Sequence, residues 1–248
     1  MGLFAALLAA LITYDEVSSH LWRAGVWWDV AWLTFVLIPA TFALVLIALP
    51  LRTWRGLLPA GLAFALLAAV LTWADVDVFA NFARLAAATL IGWWFLGWFE
   101  DVSWAVLIAF VIPFADALSV WRGPTKQIVS THPHVFDILS FAFPVPGEHS
   151  AANLGIPDLL FFALFLGAAA RFHLRVLPTY VGLVTGLGLT IAATVEFNVS
   201  GLPALPGIAL GFLAPNADLL VADLRELRRQ ARAAKSADVP VDRAANDS

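Results

Sequence analysis

Apolar residues fill long segments of this chain, and polar residues are confined to short breaks between them. A helix needs roughly 20 mostly apolar residues to span a bilayer. Backbone groups in lipid must find hydrogen-bond partners within the protein, which favours helices. The pattern therefore predicts an all-α polytopic transmembrane bundle with about eight spans: Leu3–Trp22, Val30–Leu51, Gly56–Ala74, Val78–Phe99, Val102–Val120, Leu154–Ala170, Val176–Val195 and Leu202–Val221.

Two segments are polar enough to lie outside the bilayer. The first is the loop Trp121–Asn153, which is rich in Gly, Pro, His and Ser. The second begins as a basic helical continuation, Leu224–Arg232, and ends as a polar segment that we expect to be disordered. We therefore predict one transmembrane domain, residues 1–224, followed by a basic and largely disordered C-terminal tail, residues 225–248.

The composition supports a membrane protein and excludes several other classes. The chain is 61% hydrophobic and 13% charged, whereas soluble domains carry about a quarter charged residues. A net charge of −4 gives no reason to expect nucleic acid as a partner. The absence of cysteine excludes disulfides and thiolate chemistry. Lipid is therefore the expected solvent for most of the surface.

Basic residues predict the orientation, because Lys and Arg accumulate on the cytoplasmic side. With eight spans, both termini share one side. That side carries Arg52, Arg55, Arg171, Arg175 and the tail residues Arg225, Arg228, Arg229, Arg232, Lys235 and Arg243. The opposite side carries Arg23, Arg122 and Lys126, with Arg84 extending toward it. We expect cytoplasmic termini and an extracytoplasmic Trp121–Asn153 loop.

Asp116 and Asp158 are the two carboxylates placed inside predicted spans near the same face. Asp116 lies four residues before the end of its span, and Asp158 lies four residues after the start of the next. Because one loop joins these spans, the helices run antiparallel. At 1.5 Å per residue, each carboxylate lies about 6 Å from the same face. An ionisable residue at this depth is a functional hypothesis by default.

Two adjacent carboxylates are the machinery of an aspartyl protease. They share one proton, so one activates water while the other polarises the scissile carbonyl. This chemistry requires no cofactor and no metal. Two other interpretations stay open. Asp116 can be a structural hydrogen-bond partner, with Asp158 an ordinary first-turn acid after Pro157. A proton-coupled transporter also uses membrane carboxylates.

Three motifs around these residues resemble the presenilin and signal peptide peptidase family of intramembrane aspartyl proteases. The segment Ala115–Arg122 resembles the family's first catalytic helix, and Gly155–Asp158 resembles its Gly-x-Gly-Asp motif. The segment Pro203–Pro206 matches its Pro-Ala-Leu motif. The motifs occur in family order between about Val102 and Val221, and the likeness is greatest to the prokaryotic presenilin-like members. This resemblance implies a protein of the cytoplasmic membrane of a prokaryote.

The resemblance implies a site and a substrate class. Asp116 and Asp158 would be the catalytic pair, and the site would be shaped by Gly155, Pro157, Pro203, Ala204 and Leu205. Substrates would be single transmembrane helices or leftover signal peptides. The chain departs from the family at Ala115, where the family has Tyr, and at Pro157, where it has Gly. Family members usually have nine spans, and a catalytically silent membrane scaffold is a further alternative.

Two other motifs have simpler explanations. Small residues at Gly182 and Gly186, and again at Gly207 and Gly211, favour close helix contact. Packing within the bundle is the expectation, with a dimer interface as the alternative; the oligomeric state stays open. Three histidines and two acids in the loop suggest a metal site, but they lack helical ligand spacing, so a solvated loop is favoured: His132, His134, His149, Asp137 and Glu148.

Overall fold

The structure is a computed structural model that describes residues 2–23, 25–122, 140–148, 151–199 and 201–237. Helices dominate these residues. They are α1 Gly2–Ser18, α2 Val26–Trp32, α3 Ile38–Ala48, α4 Leu57–Trp73, α5 Asp77–Leu96, α6 Val102–Arg122, α7 Ile156–Arg171, α8 Val176–Glu196, α9 Leu205–Leu213 and α10 Ala217–Ala237. Two short strands, β1 Ser140–Pro144 and β2 Ala151–Gly155, lie between α6 and α7.

Each of the eight apolar segments coincides with a helix or a continuous helical pair. Within the described residues, five helical stretches are long and apolar enough to cross a membrane: Val26–Thr53, Asp77–Leu96, Val102–Ser119, Val176–Glu196 and Leu205–Glu226. Leu57–Trp73 is a shorter apolar helix. The predicted fold class, a transmembrane helical bundle, is confirmed, and the chain is an integral membrane protein.

Three helices end in the same way, with a residue in the left-handed conformation. Asp75, His173 and Asn198 have φ values of 54°, 55° and 49° after α4, α7 and α8. Asn, Asp and His tolerate this conformation better than most residues. The next N–H then returns to the helix, as where Val76 donates to the Leu71 carbonyl at 2.9 Å. This Schellman pattern satisfies carbonyls that lipid would leave without a partner.

A wide π-helical turn, Leu33–Leu37, joins α2 to α3. Pro39 follows it at the start of α3 and has no N–H to continue the regular ladder. The turn displaces the backbone without ending the helical stretch. The Pro39 carbonyl accepts a hydrogen bond from the Tyr180 hydroxyl of α8 at 2.5 Å. Pro39 therefore sets the contact between two spans.

Helix α7 is the centre of the bundle. Its residues from Leu159 to Ala169 are buried, most of them completely, apart from the partly exposed Leu160 and Phe161. Phe162 stacks on Phe42 of α3 with ring centroids 3.8 Å apart, and Phe165 stacks on Phe212 of α9 at 4.8 Å. A helix that is apolar on all sides must be surrounded by protein or lipid, and here α5, α8 and α9 pack around it, with Phe42 of α3 stacked on it.

The strands correct the predicted loop. The sequence predicts a span starting at Leu154, but β2 continues through Gly155, and α7 begins at Ile156. β1 and β2 pair antiparallel with Ala142 opposite Asn153. Residues 123–139 and 149–150 lie outside the described residues. The helical continuation predicted over Leu224–Arg232 lies within α10, which extends to Ala237; residues 238–248, where disorder is predicted, lie outside the described residues.

The ends of the helices define two ends of the bundle. The hairpin end contains β1, β2 and the first turn of α7. The arginine end contains Arg52, Arg171 and Arg175. Arg171 donates to the carbonyls of Leu96 and Phe99, both at 2.7 Å, and Arg175 pairs with Asp218 at 2.7 Å. The 16 residues of α7 separate the two ends by about 24 Å.

Helices α8 and α9 meet through glycines, as the sequence predicts for packing within the bundle. Gly182 faces the Gly211 carbonyl, and Gly186 faces the Gly207 carbonyl. A Cβ atom at any of these four positions would overlap backbone atoms of the other helix. The contact therefore fixes how closely α9 approaches α8.

We expect Gly186→Ala to destabilise the protein. Alanine stabilises a helix by about 1 kcal/mol relative to glycine. However, the added methyl group would overlap the Gly207 backbone, and a backbone cannot move aside as a side chain can. Overpacking of this kind costs about 1–3 kcal/mol, so thermal unfolding in detergent should occur at a lower temperature. Gly201→Ala is the control, since nothing lies within 4 Å of its added Cβ. Equal unfolding temperatures for both variants would contradict the contact.

Candidate functional site

Asp116 is held by the start of another helix. It lies on α6, one turn after Pro113, and its Oδ2 accepts a hydrogen bond from the Leu205 N–H at 3.0 Å. The backbone of Ala204 also faces this carboxylate. The first N–H groups of a helix have no partner within it, so a carboxylate from α6 supplies one.

The Pro203–Pro206 segment brings α9 to Asp116. Residues 201–203 are not helical, and α9 starts at Leu205 with Ala204 as its N-cap. Pro206, at the second helical position, has no N–H to satisfy. Ala204 and Leu205 are buried. The segment predicted to shape the site therefore lies against one of the two predicted catalytic residues.

Asp158 lies in the first turn of α7, immediately after the hairpin. Gly155 is the N-cap with φ −62°, and Pro157 lies near the helix start, where a missing N–H removes no intrahelical bond. The Asp158 carboxylate faces the Gly155 backbone. A Cβ at Gly155 would lie 3.3 Å from Asp158 Oδ2, so glycine permits the close approach. Pro157 is thus compatible with the local structure despite its departure from the family motif.

The two aspartates lie on helices that contact one another. The charge of Asp116 acts on Asp158, so Asp158 lies within electrostatic reach of the Asp116 carboxyl group. Direct or one-water contact between the two groups stays a prediction. The Leu205 backbone, Asp116 and Asp158 are therefore the polar groups that the fold gathers where α6, α7 and α9 meet.

Other candidates lie elsewhere. Ala115 is exposed on α6. Two small cavities flank the hairpin rather than the aspartates; one is beside Tyr14 and Phe141, and the other is beside Ala152 and Leu187. Four loop residues considered as metal ligands lie outside the described residues: His132, His134, Asp137 and His149. Among the described residues, no group of three or more His, Cys, Asp or Glu is arranged to bind a metal.

Sequence reasoning missed the side chains that hold the hairpin. Asn81 and Arg84 of α5 and Tyr14 of α1 all bond to the backbone of β1. Arg84 extends toward the hairpin end, as expected, but it is only 8% exposed because its guanidinium bonds the hairpin instead of reaching solvent. The available signal was the spacing, because Asn81 and Arg84 are three residues apart and so fall on one face of a largely apolar helix.

Comparison with known proteins gives one partial match. A stretch of 96 residues is 34% identical to presenilin-B of Dictyostelium discoideum, covering 37% of this chain and 20% of that protein. The chain thus matches about a fifth of the length of this relative. No protein family model matches the chain. The match supports a presenilin-like membrane protein and agrees with the resemblance carried by the three motifs.

We expect Asp116→Ala to be less stable than Asp116→Asn. Asparagine retains an oxygen that can accept the Leu205 N–H, whereas alanine leaves this buried donor without a partner. An unsatisfied buried donor costs about 1–3 kcal/mol, which thermal unfolding in detergent would detect. Asp223→Ala, at an exposed position on α10, is the control and should match the wild type. Identical stability of the two Asp116 variants would show that the bond contributes nothing.

Proposed function

We propose that this protein is an intramembrane aspartyl endopeptidase in which Asp116 and Asp158 are the catalytic pair. The observation that carries the proposal is their placement on contacting membrane helices. The Asp116 carboxylate is bound to the start of α9, and its charge reaches Asp158. A carboxyl group within a membrane span is costly, and function can explain that cost.

The chemistry needs both carboxyl groups. One carboxylate accepts a proton from water, and the resulting hydroxide equivalent attacks the scissile carbonyl carbon. The other carboxyl group, protonated, donates to the carbonyl oxygen and stabilises the tetrahedral intermediate. Collapse breaks the C–N bond as a proton passes to the leaving amine. The products are a new carboxyl end and a new amino end, and no cofactor or metal takes part.

The substrate class follows from the surroundings of the pair. Asp158 lies within a bundle whose surface faces lipid, so substrates would be transmembrane helices or signal peptides. A helix must unwind locally before its peptide bond can be attacked. Strand β2 ends at Gly155, three residues before Asp158, and among the described residues β1 is its sole partner strand. A substrate segment unwound beside the end of β2 would lie next to the first turn of α7, which carries Asp158.

The orientation is part of the proposal. The arginine end would be cytoplasmic by the positive-inside rule, and the hairpin end with the aspartates would lie toward the extracytoplasmic face. This is the orientation of signal peptide peptidases and the reverse of presenilins. Substrates with a cytoplasmic N-terminus would then be preferred.

We expect Asp116→Asn and Asp158→Asn each to abolish cleavage of a model transmembrane peptide by purified protein. Asparagine has nearly the shape of aspartate but can neither accept the proton from water nor donate one. Stability should hold or rise, because a neutral amide relieves the cost of an ionisable group in lipid. Mass spectrometry of the products measures the cleavage, and thermal unfolding measures the stability.

Two controls make this test specific. Asp223→Asn, at an exposed position on α10, should cut like the wild type. Pro157→Gly restores the family residue and should retain or raise activity. Surviving turnover in Asp116→Asn together with lost stability would reduce Asp116 to a structural residue. A proton-driven flux that Asp116→Asn alters, without any cleavage, would favour a transporter, and neither activity would favour a silent scaffold.

We expect a reporter fused at Ser248 to report the cytoplasm, and one inserted within residues 123–139 to report the opposite side. The reason is the excess of Arg and Lys at the arginine end and in the tail. Paired alkaline phosphatase and fluorescent-protein fusions measure this. A tail reporter that is active outside the cell would reverse both the orientation and the preferred substrate direction.

A further inference from the structure

The outer edge of β1 is covered by side chains instead of another strand. The carbonyls of Ser140, Ala142 and Pro144 accept hydrogen bonds from Arg84, Asn81 and Tyr14, at 3.2, 2.7 and 3.2 Å. The Ala142 N–H donates to Asn81 Oδ1 at 2.9 Å. These three side chains, from α1 and α5, are called the edge clamp below.

The hydrogen-bond pattern of the antiparallel strands explains why the edge clamp contacts every second residue of β1. In an antiparallel pair, each residue directs its N–H and carbonyl to the same side, and the side alternates along the strand. Ala142 directs both groups to Asn81, so it points away from β2. Phe141 and Phe143 must then pair with β2, opposite Leu154 and Ala152. The edge clamp therefore occupies the one edge of β1 that β2 cannot satisfy.

Asn81 imitates a strand at this edge. Its amide donates to and accepts from the same residue, as a neighbouring peptide group would in a sheet. Asn81 is 3% exposed, and an unpaired backbone group there would be costly. Arg84 adds a second contact and links β1 to α4, because it also donates to Thr72 Oγ1 at 2.7 Å. The clamp thus ties the hairpin to α1, α4 and α5.

The opposite edge of the hairpin leads to the aspartates. By the same alternation, Ala151, Asn153 and Gly155 direct their backbone groups away from β1. Ala151 and Asn153 are exposed, and β2 passes directly into the first turn of α7, which carries Asp158. The position of this edge relative to Asp158 depends on where β1 is held.

We propose that Tyr14, Asn81 and Arg84 are positioning residues. By holding β1 they fix the position of β2 relative to the Asp158 carboxyl group, and so they select which substrate peptide bond is cut. This inference rests on the proposed endopeptidase function. A loosened hairpin would present neighbouring peptide bonds to the same carboxylates.

The first measurement needs no activity. Hydrogen exchange of the purified full chain in detergent, read by mass spectrometry, reports opening of β1 and β2. Asn81→Ala removes two hydrogen bonds, so exchange of the hairpin peptides should be at least about tenfold faster. Tyr14→Phe removes only the hydroxyl that bonds Pro144 and Trp32, and it should give a smaller increase in exchange. This variant is the test if Asn81→Ala fails to fold.

Thr89→Val is the matched control. Thr89 is also buried on α5, and its hydroxyl has no partner among the described residues. Its replacement keeps the shape of the side chain, so hairpin exchange and cleavage should match the wild type. Any general effect of changing a buried polar residue of α5 would appear in this variant too.

The second measurement is the set of product ends from a model transmembrane peptide, with kcat expressed per folded enzyme. The clamp variants should produce new ends displaced by one or more residues and a lower kcat. Unchanged hairpin exchange in both variants would overturn the clamp. Faster exchange with unchanged product ends would overturn its positioning role. If the variants exchange faster but the wild type itself cuts no peptide, the proposed function and the positioning role are both overturned. The clamp then remains a structural contact.

Discussion

Every backbone group that leaves a helix inside this bundle must find a partner in the protein, and much of the structure follows from that requirement. Three breaks in regular helix among the described residues illustrate it. Just after the π turn the Pro39 carbonyl is bonded by Tyr180, and at the start of α9 the Leu205 N–H is bonded by Asp116. At the hairpin, α1 and α5 supply the partners for β1. Water would satisfy these groups in a soluble protein, whereas lipid does not.

The same requirement gives Asp116 a structural role beside the catalytic role proposed for it. As a hydrogen-bond acceptor it stabilises the start of α9, which any buried capping residue would do. As an ionisable group it is costly in the membrane, and asparagine would supply the structural bond at lower cost. Under the proposed function, the ionisable group is retained at this cost because it transfers a proton.

The helix that carries Asp158 is more completely packed by protein than the helix that carries Asp116. Asp158 extends from α7, around which α5, α8 and α9 pack, and its preceding hairpin is bonded to α5. Asp116 extends from α6, whose Trp104, Phe110 and Phe114 are exposed to the surroundings. α6 packs chiefly against α9, and α9 is fixed in turn by its glycine contact with α8. The aspartate separation thus depends on the contacts of α9.

The sequence by itself determined the class of the protein and the position of its helices, because long apolar runs leave a chain little alternative in lipid. It also indicated Asp116 and Asp158, since charge in such runs is conspicuous. The tertiary structure decided what short-range pattern does not encode. The hairpin, its bonds to Asn81 and Arg84, and the bond between Asp116 and Leu205 join residues far apart in sequence. Strand pairing and a buried polar bond depend on which backbone edge meets which side chain, and that is settled only when the helices pack.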